Sequence, residues 1–470
     1  MADSPTLRVE PTDIPGLLVV HLVVHHDSRG WFKENWQRRA MTAAGLPDFG
    51  PVQNNISFND RAGVTRGMHA EPWEKFVSVA HGRILGAWVD LREGPTFGRS
   101  VSLEMGPETA VFIPRGVANG YQCLTDDTAY SYLVNDHWSP AARESYTFVN
   151  LADPALGIDW PVDPARAEMS EADRNHPPLA QVTPMPGRRT VVLGGSGQLG
   201  RALAQAMPEA EFPGRDLIDL SRPESIDAYD WSSVGTVVNA AAHTGVDAAE
   251  QDRAEAWAVN VTGVRHLVEV CRRHRIRLVH VSSDYVFDGS REVHDEDEPF
   301  SPLGFYGLTK AAGDELVSSL DDHIIVRTSW VVGQGRNFVA TMVDLARRGI
   351  SPTVVDDQWG RLTFCQDLAA GIVHLLADPR RRGTYNLTNT GPAHSWAQVA
   401  DQVFTLLGAT GSVAPVSTAE YTRDRPGAPR PRHSTLDTAR IESTGFTPPP
   451  ADDRLAALVA DLADPPEATP

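Results

Sequence analysis

The sequence predicts two unlike domains in one chain: an all-β sandwich or barrel, then an α/β fold with a doubly wound parallel sheet. Three observations predict this. Residues 1–175 are short apolar runs interrupted by Gly, Pro, Asn and Asp, a spacing that marks strands and turns. From Val191 onward, apolar strand-like runs alternate with helical segments, which marks parallel strands joined by crossover helices. Between them, residues 177–187 hold four prolines and one glycine, too few free amides to continue either kind of element. The expected division is 1–180, a linker at 181–187, and 188–470.

Taken in chain order, the first-half strands are expected at 76–80, 84–89 and 110–114, each an apolar run closed by a turn residue or a charge. In the second half, strands are expected at 191–193, 237–239, 278–281 and 324–326, with a helix over 254–272. The last dozen or so residues, rich in Ala, Asp and Pro, read as a frayed tail. No internal repeat is visible, and the halves look unrelated.

Composition narrows the function classes. A length of 470 residues exceeds one ordinary domain, and the formal charge of −19 argues against nonspecific binding to nucleic acid or anionic membrane. No apolar stretch approaches the roughly 20 residues that span a bilayer. Met1-Ala2-Asp3-Ser4-Pro5 lacks a basic segment leading into an apolar one, so export is not expected. Cys123, Cys271 and Cys365 are isolated and odd in number, which fits neither a zinc site nor a disulfide framework. The expected compartment is the cytoplasm.

In the second half, Val191-Val192-Leu193 runs into Gly194-Gly195-Ser196-Gly197-Gln198-Leu199-Gly200 and then a helical segment. Glycines at 194, 197 and 200 let backbone approach a pyrophosphate, which a helix N-terminus attracts. An ordinary glycine-rich turn looks the same in isolation, so later residues decide. Tyr306 and Lys310 lie four apart, on one helical face. A lysine charge beside a phenol lowers its pKa and equips it to protonate a ketone. Ser283 follows the apolar strand Leu278 to Val281, and ligands bind at strand carboxyl ends in such folds.

These residues carry a resemblance. The glycine loop, Asn239-Ala240-Ala241-Ala242-His243-Thr244-x-Val246-Asp247, Ser283-Asp284-Tyr285-Val286-Phe287-Asp288-Gly289 and Tyr306-x-x-x-Lys310 are similar to the extended short-chain dehydrogenase/reductases, specifically the dTDP-4-dehydrorhamnose reductases. The likeness continues through Arg327-Thr328-Ser329-Trp330, Asn337-Phe338, Asp357-Gln358-x-Gly360 and Arg430-Pro431-x-His433-Ser434, over most of 188–445. It implies a Rossmann-type fold with Tyr306 as proton donor, Lys310 as its electrostatic partner and ribose ligand, and Ser283 as hydrogen-bond donor to the carbonyl. That family usually has Thr at Ser283; either supplies the hydroxyl. Asp284, Tyr285 and Trp330 are implied to lie near the sugar, and Gly194, Gly197, Gln198, Leu199, Gly200 and Ala241 near the cofactor. Arg215 could pair with the 2′-phosphate of NADPH, and Asp219 with the ribose of NADH; both stay open.

In the first half, His69 lies three residues beyond Arg66 and six before Lys75. A histidine can take a proton made acidic by a neighbouring ketone, and a lysine can stabilise the enolate. A lone histidine in a strand is more often an ordinary core or surface residue, so context decides. That context is Asp27-Ser28-Arg29-Gly30-Trp31-Phe32-x-Glu34, Gln53-x-Asn55, Arg66-Gly67-Met68-His69, Val89-Asp90-Leu91-Arg92, Pro95-Thr96-Phe97-Gly98 and Ile113-Pro114-x-Gly116-x-Ala118-Asn119-Gly120. In that order it resembles the dTDP-4-dehydrorhamnose 3,5-epimerases, cupin-type jelly rolls, over about residues 7–180. The resemblance implies His69 as base oriented by Asp173, Tyr132 as acid on the opposite face, and Lys75 near the enolate oxygen. Arg29, Glu34, Gln53, Asn55 and Arg66 are implied to hold nucleotide and sugar.

No metal is expected there. A three-histidine cupin site is missing, and His25 and His26 fall on opposite strand faces. Two departures stand out. The family has His at Asn119 and Asp at Gly86, which pair in its fold, and the gap from His69 to Lys75 is short.

Together the resemblances imply a bifunctional enzyme of dTDP-L-rhamnose formation, acting on dTDP-4-dehydro-6-deoxyglucose and its epimers with NADPH or NADH. They also imply a homodimer through the β-domain. Alternatives are single epimerisation at C5 before reduction, in a related deoxysugar route, or a non-catalytic nucleotide-binding regulator. A regulator has no need of the proton-relay residues His69, Tyr132, Asp173, Tyr306 and Lys310.

Overall fold

Val77 and Val79, and on the next strand Val111 and Ile113, lie two apart, so they share one face of a sheet and need an apolar layer opposite. That layer carries Ile84, Trp88, Met105, Val117 and Tyr121, and the two faces form one core. The computed structural model describes residues 6–139, 141–424 and 427–463, and the chain falls into two units, Met1–Gly187 and Arg188–Pro470.

In the first unit, six antiparallel strands run in the order Arg8–Pro11, Leu18–His21, Thr109–Ile113, Lys75–His81, Thr128–Val134 and Gln53–Asn59. The facing antiparallel sheet runs Thr147–Phe148, Thr65–Ala70, Val117–Cys123, Ile84–Asp90 and Ser100–Met105. The predicted linker is not loose. Met185 is 4% exposed, its amide donates to the Leu91 carbonyl (2.7 Å), and its carbonyl accepts from Glu93 (2.9 Å). Its flanking prolines predicted a free joint, but an apolar side chain with a place to dock and both backbone groups paired ties the segment to the first unit.

The second unit is built on five parallel strands in the order Arg189–Leu193, Val234–Asn239, Arg277–Ser283, His323–Thr328 and Gly383–Asn386. Alternate side chains go to opposite faces. Val191, Leu193, Val237, Leu278 and Ile325 pack under the helix Val264–His274. Val192, Val238, Val279, Ile324 and Val326 pack under Gln198–Ala206 and Cys365–Leu376. Ahead of Arg215 the chain adds only a single bridge to the sheet, between Val191 and Glu211, since Pro208 and Pro213 leave few residues free to pair.

A third core joins Phe338–Arg347, Trp396–Leu406 and Ala451–Ala463. The expected frayed tail therefore begins too early. Leu455 and Val459 are each 2% exposed and dock their helix through Ala463, and only 464–470 lie outside the described residues.

Candidate active sites

The first site is a cavity of about 720 Å³ whose lining includes Gln53, Asn55, Arg66, His69, Lys75, Tyr132 and Asp173. His69 and Tyr132 come from different sheets. Asp173 arrives from 104 residues away. The Thr65 amide donates to the Glu168 carbonyl (2.8 Å), laying that segment along the His69 strand, and Ser170 caps the turn Glu171–Arg174. Asp173 Oδ1 then stands 2.9 Å from His69 Nε2. Burial alone would raise the Asp173 pKa, but the imidazoles of His176 and His69 hold it well below the usual carboxylate range.

Lys75 forms a buried ion pair with Glu71, and its ammonium lies 5.2 Å from the Tyr132 ring centroid. Burial, helped by the Glu71 charge, pushes the Tyr132 phenol pKa upward, and Arg66 opposes it. Gln53 donates to Asn55 (2.9 Å), and Arg66 to Asn59 (3.0 Å).

Two expected binding residues are not in this cavity. Arg29 sits at the tip of the hairpin formed by Val24–Asp27 and Gly30–Lys33, 88% exposed and paired with Asp27 at 2.5 Å, and the exposed Glu34 follows it. The hairpin is a separate two-stranded sheet, so sequence neighbourhood with the other motif residues does not become spatial neighbourhood. Asn119 and Gly86 do not line the cavity either. Asn119 accepts from Tyr130 Oη (3.2 Å), and a Cβ on Gly86 would meet the Trp88 indole at 2.6 Å.

The second site is a cavity of about 980 Å³ at the carboxyl ends of the parallel strands. It is lined by the whole loop from Gly194 to Gly200, by Arg215, Asp219 and Ala241, and by Ser283, Asp284, Tyr285, Tyr306, Lys310 and Trp330. At Gly194, φ is +83° and a Cβ would lie 2.8 Å from the Ala240 backbone; at Gly200 it would lie 2.1 Å from the Gly194 carbonyl oxygen. The loop is thus a backbone cradle that side chains would fill, opening onto the N-terminus of Gln198–Ala206, and it fits a dinucleotide pyrophosphate. Asp219 is occupied by Ser221, whose hydroxyl donates to it at 2.7 Å, while Arg215 is exposed on the same wall.

Tyr306 and Lys310 lie one turn apart on Phe305–Ser318. The Tyr306 ring meets that of Tyr285 edge-on at 5.5 Å. Trp330 stacks on Trp396 with centroids 3.6 Å apart. Burial pushes Tyr306 up to about 12, opposed by a hydrogen bond with Ser283. It pushes Lys310 down to about 8, opposed by Asp314.

The expectation that Lys310 lowers the phenol pKa is not met in this state. Its ammonium donates to the Val281 carbonyl (2.8 Å) and lies 3.3 Å from His280 Nε2, so its charge is directed into the wall beneath the cavity.

Sequence reasoning missed Glu71, His176 and His280. Glu71 is two residues past His69, and His176 is one turn past Asp173, but only the folded register brings either into contact. His280, which also meets Asn239 at 3.1 Å, hides inside an apolar strand.

Comparison with known proteins divides the chain where its architecture does. Residues 188–463 match the family model described as RmlD substrate binding domain, and residues 11–181 the model described as dTDP-4-dehydrorhamnose 3,5-epimerase. A relative named Protein RmlC homolog, from Streptococcus pyogenes, is 51% identical over 188 residues, which cover 39% of this chain and 94% of the relative. A dTDP-4-dehydrorhamnose reductase from Streptomyces griseus is 39% identical over 285 residues, 57% of this chain and 91% of the relative. Among solved structures, dTDP-4-dehydrorhamnose reductase from Bacillus anthracis in complex with NADP superposes with a TM-score of 0.54 at 31% identity, covering 58% of this chain and 99% of that one.

Proposed function

Because the chain belongs to the RmlD substrate binding domain family over residues 188–463 and to the dTDP-4-dehydrorhamnose 3,5-epimerase family over residues 11–181, we propose that it is a bifunctional enzyme of dTDP-L-rhamnose formation. The first unit epimerises dTDP-4-dehydro-6-deoxyglucose beside its ketone, and the second reduces that ketone. The observation that carries this reading is the pairing of two cavities, one with His69 on Asp173 at 2.9 Å and one with Ser283, Tyr306 and Lys310, with family matches for consecutive reactions.

In the first unit, His69 takes the proton from the carbon beside the ketone, and Asp173 fixes its ring and stabilises the imidazolium. Tyr132, whose raised pKa keeps the phenol protonated, returns a proton from the facing sheet. Lys75, charge-balanced by Glu71, stands near the enolate oxygen. Gln53, Asn55 and Arg66 hold the nucleotide sugar.

In the second unit, Ser283 donates to the ketone oxygen and Tyr306 protonates it as reduction proceeds. Lys310 turns from Val281 towards the ribose and the phenol. The Gly194 to Gly200 cradle would hold the pyrophosphate of NADPH, with Arg215 placed for its 2′-phosphate, and the bound cofactor would supply the hydride to the ketone carbon beside Ser283 and Tyr306. Asp284, Tyr285 and Trp330 shape the sugar end of the cavity.

The first unit is read as a cupin-type jelly roll covering 1–180, joined through 181–187 to a reductase domain over 188–470. Ile56 and Phe58, 66% and 57% exposed on the edge strand Gln53–Asn59, support a homodimer through the β-domain, in which Arg29 and Glu34 have a role outside their own cavity. No described helix is long and apolar enough to cross a membrane, and the reading places the enzyme in the cytoplasm. Epimerisation at C5 alone is the second reading, favoured by Asn119 and Gly86. Incubation with dTDP-4-dehydro-6-deoxyglucose and NADPH, followed by NMR of the product sugar, tests the two activities; dTDP-L-rhamnose is expected, and an unchanged sugar with unconsumed NADPH rejects them.

A further inference from the structure

We propose that His69, Asp173 and His176 form a three-ligand site for a divalent cation of the zinc class, and that an ion held there shuts off epimerisation: bound at Nε2 in place of the proton shared with Asp173, it leaves the imidazole proton on Nδ1, where the lone pair that takes the substrate proton would be. The inhibitory part rests on His69 being the base; the binding part does not.

The donor atoms are already gathered. His69 Nε2 lies 2.9 Å and His176 Nε2 3.3 Å from the same oxygen, Asp173 Oδ1, and the three ligand atoms all fall within 4.8 Å of one another. Tetrahedral zinc, with bonds of about 2.0–2.2 Å, sets neighbouring donors roughly 3.3 Å apart. The His176–Asp173 edge is at that length, the His69–Asp173 edge has to open by a few tenths of an ångström, and the His69–His176 edge, within 4.8 Å, has to come to the same length.

The second observation is His176 itself. Its side chain is 8% exposed, and its buried Nε2 has no neighbour but Asp173 Oδ1 at 3.3 Å, too poorly placed for a full hydrogen bond. A cation between the three residues would satisfy it.

The supports are rigid. The His176 ring stacks on Phe148 with centroids 4.6 Å apart, and the His69 ring meets Phe148 and His176 edge-on, each at 5.5 Å. The Gly67 amide lies 3.4 Å from Asp173 Oδ2, which turns Oδ1 towards the histidines, as outer partners of metal ligands do. The His69 side chain is 33% exposed and lines the cavity.

The donor set selects the ion. Two imidazoles and one carboxylate suit zinc, cobalt or nickel, whereas calcium and magnesium seek more oxygens. The sequence conceals the site because it lacks the clustered histidines of a cupin metal centre; two of its ligands come from the segment after the last strand.

The test uses the full chain freed of metal with a chelator. Cobalt(II), added as a spectroscopic probe, is expected to give the visible bands of a four-coordinate site at one equivalent, and zinc to displace it. Zinc is expected to slow deuterium uptake into dTDP-4-dehydro-6-deoxyglucose at least tenfold, with chelator restoring it, while reduction of separately supplied dTDP-4-dehydrorhamnose continues. His176→Asn and His176→Gln should each weaken cobalt binding by more than roughly tenfold, the loss that even outer-sphere partners produce.

No cobalt spectrum in the wild-type chain, or equal binding by folded His176 variants, overturns the site. Metal binding without slowed exchange overturns the inhibition. Cobalt binding combined with exchange that survives His69→Ala leaves the site standing and removes His69 as base, so the two failures are distinguishable.

Discussion

Ser283 donates its hydroxyl hydrogen to Asp284 Oδ1 across 3.0 Å, and both residues are more than nine-tenths buried. The serine proposed to donate to the ketone thus has its one hydroxyl hydrogen engaged by a carboxyl in the cavity wall until substrate draws it away. Burial pushes that carboxyl up to about 6, against the hydroxyls of Ser434, Ser283 and Ser329, so the reductase site holds an acid whose charged form the fold disfavours.

Asp284→Asn should therefore stabilise the second unit while impairing reduction. The folded-state pKa lies above the ordinary 3.8, so between about pH 4 and 6 the folded chain keeps a proton that the unfolded chain has released. Stability from this group falls as pH rises through that window, and the cost is complete above pH 6. About 2 pH units correspond to at most roughly 3 kcal/mol. Calorimetry should show the variant melting higher than wild type at pH 8, with the advantage gone near pH 4. A lower melting temperature at pH 8 rejects the argument.

Tyr306→Phe removes the proton donor and keeps the ring against Tyr285. Reduction of dTDP-4-dehydrorhamnose is expected to fall by roughly 10²-fold or more, while deuterium uptake catalysed by the first unit persists. Near-normal NADPH oxidation by the folded variant rules out the role.

His69→Ala should abolish deuterium incorporation beside the ketone in heavy water, and Asp173→Asn should slow it. In the wild type, exchange is expected at C5 and more slowly at C3. The second His–Asp pair of the family is replaced by Asn119, engaged with Tyr130, and by Gly86, whose side-chain space Trp88 fills. Equal rapid exchange at both carbons, read by NMR, defeats the impaired-C3 expectation.

Much of this was legible because it is local. The run Val191-Val192-Leu193, its glycine loop and the one-turn spacing of Tyr306 and Lys310 need only short-range geometry. What stayed hidden depends on register across long separations. Glu71 and Lys75 pair only because their strand connection folds back, and His176 matters only once Asp173 has crossed 104 residues to His69. The direction of the Lys310 ammonium was hidden too, because the spacing that places it one turn from Tyr306 says nothing of the Val281 carbonyl. Arg29 and Glu34 show the reverse: their motif is plain in the sequence, yet the hairpin carries them away from the cavity.

Separating the halves between Gly187 and Arg188 should give two soluble folded pieces, since each owns its core. Cutting at Thr183 should instead strip the first piece of Met185 and lower its stability, by roughly the 2–5 kcal/mol typical of a buried methionine truncated to alanine. Chemical denaturation of both versions checks this; identical midpoints would mean that Met185 contributes nothing.

The Trp330–Trp396 stack, with rings 3.6 Å apart and 13° from parallel, gives the second unit an intrinsic optical gauge. Two indoles that close couple their electronic transitions, so their circular dichroism in the ultraviolet depends on spacing and tilt. Both rings line the cavity, and a sugar ring sliding against Trp330 would alter that tilt without any label. Occupancy of the reductase pocket could then be followed by light alone, in the intact chain, while the first unit turns over.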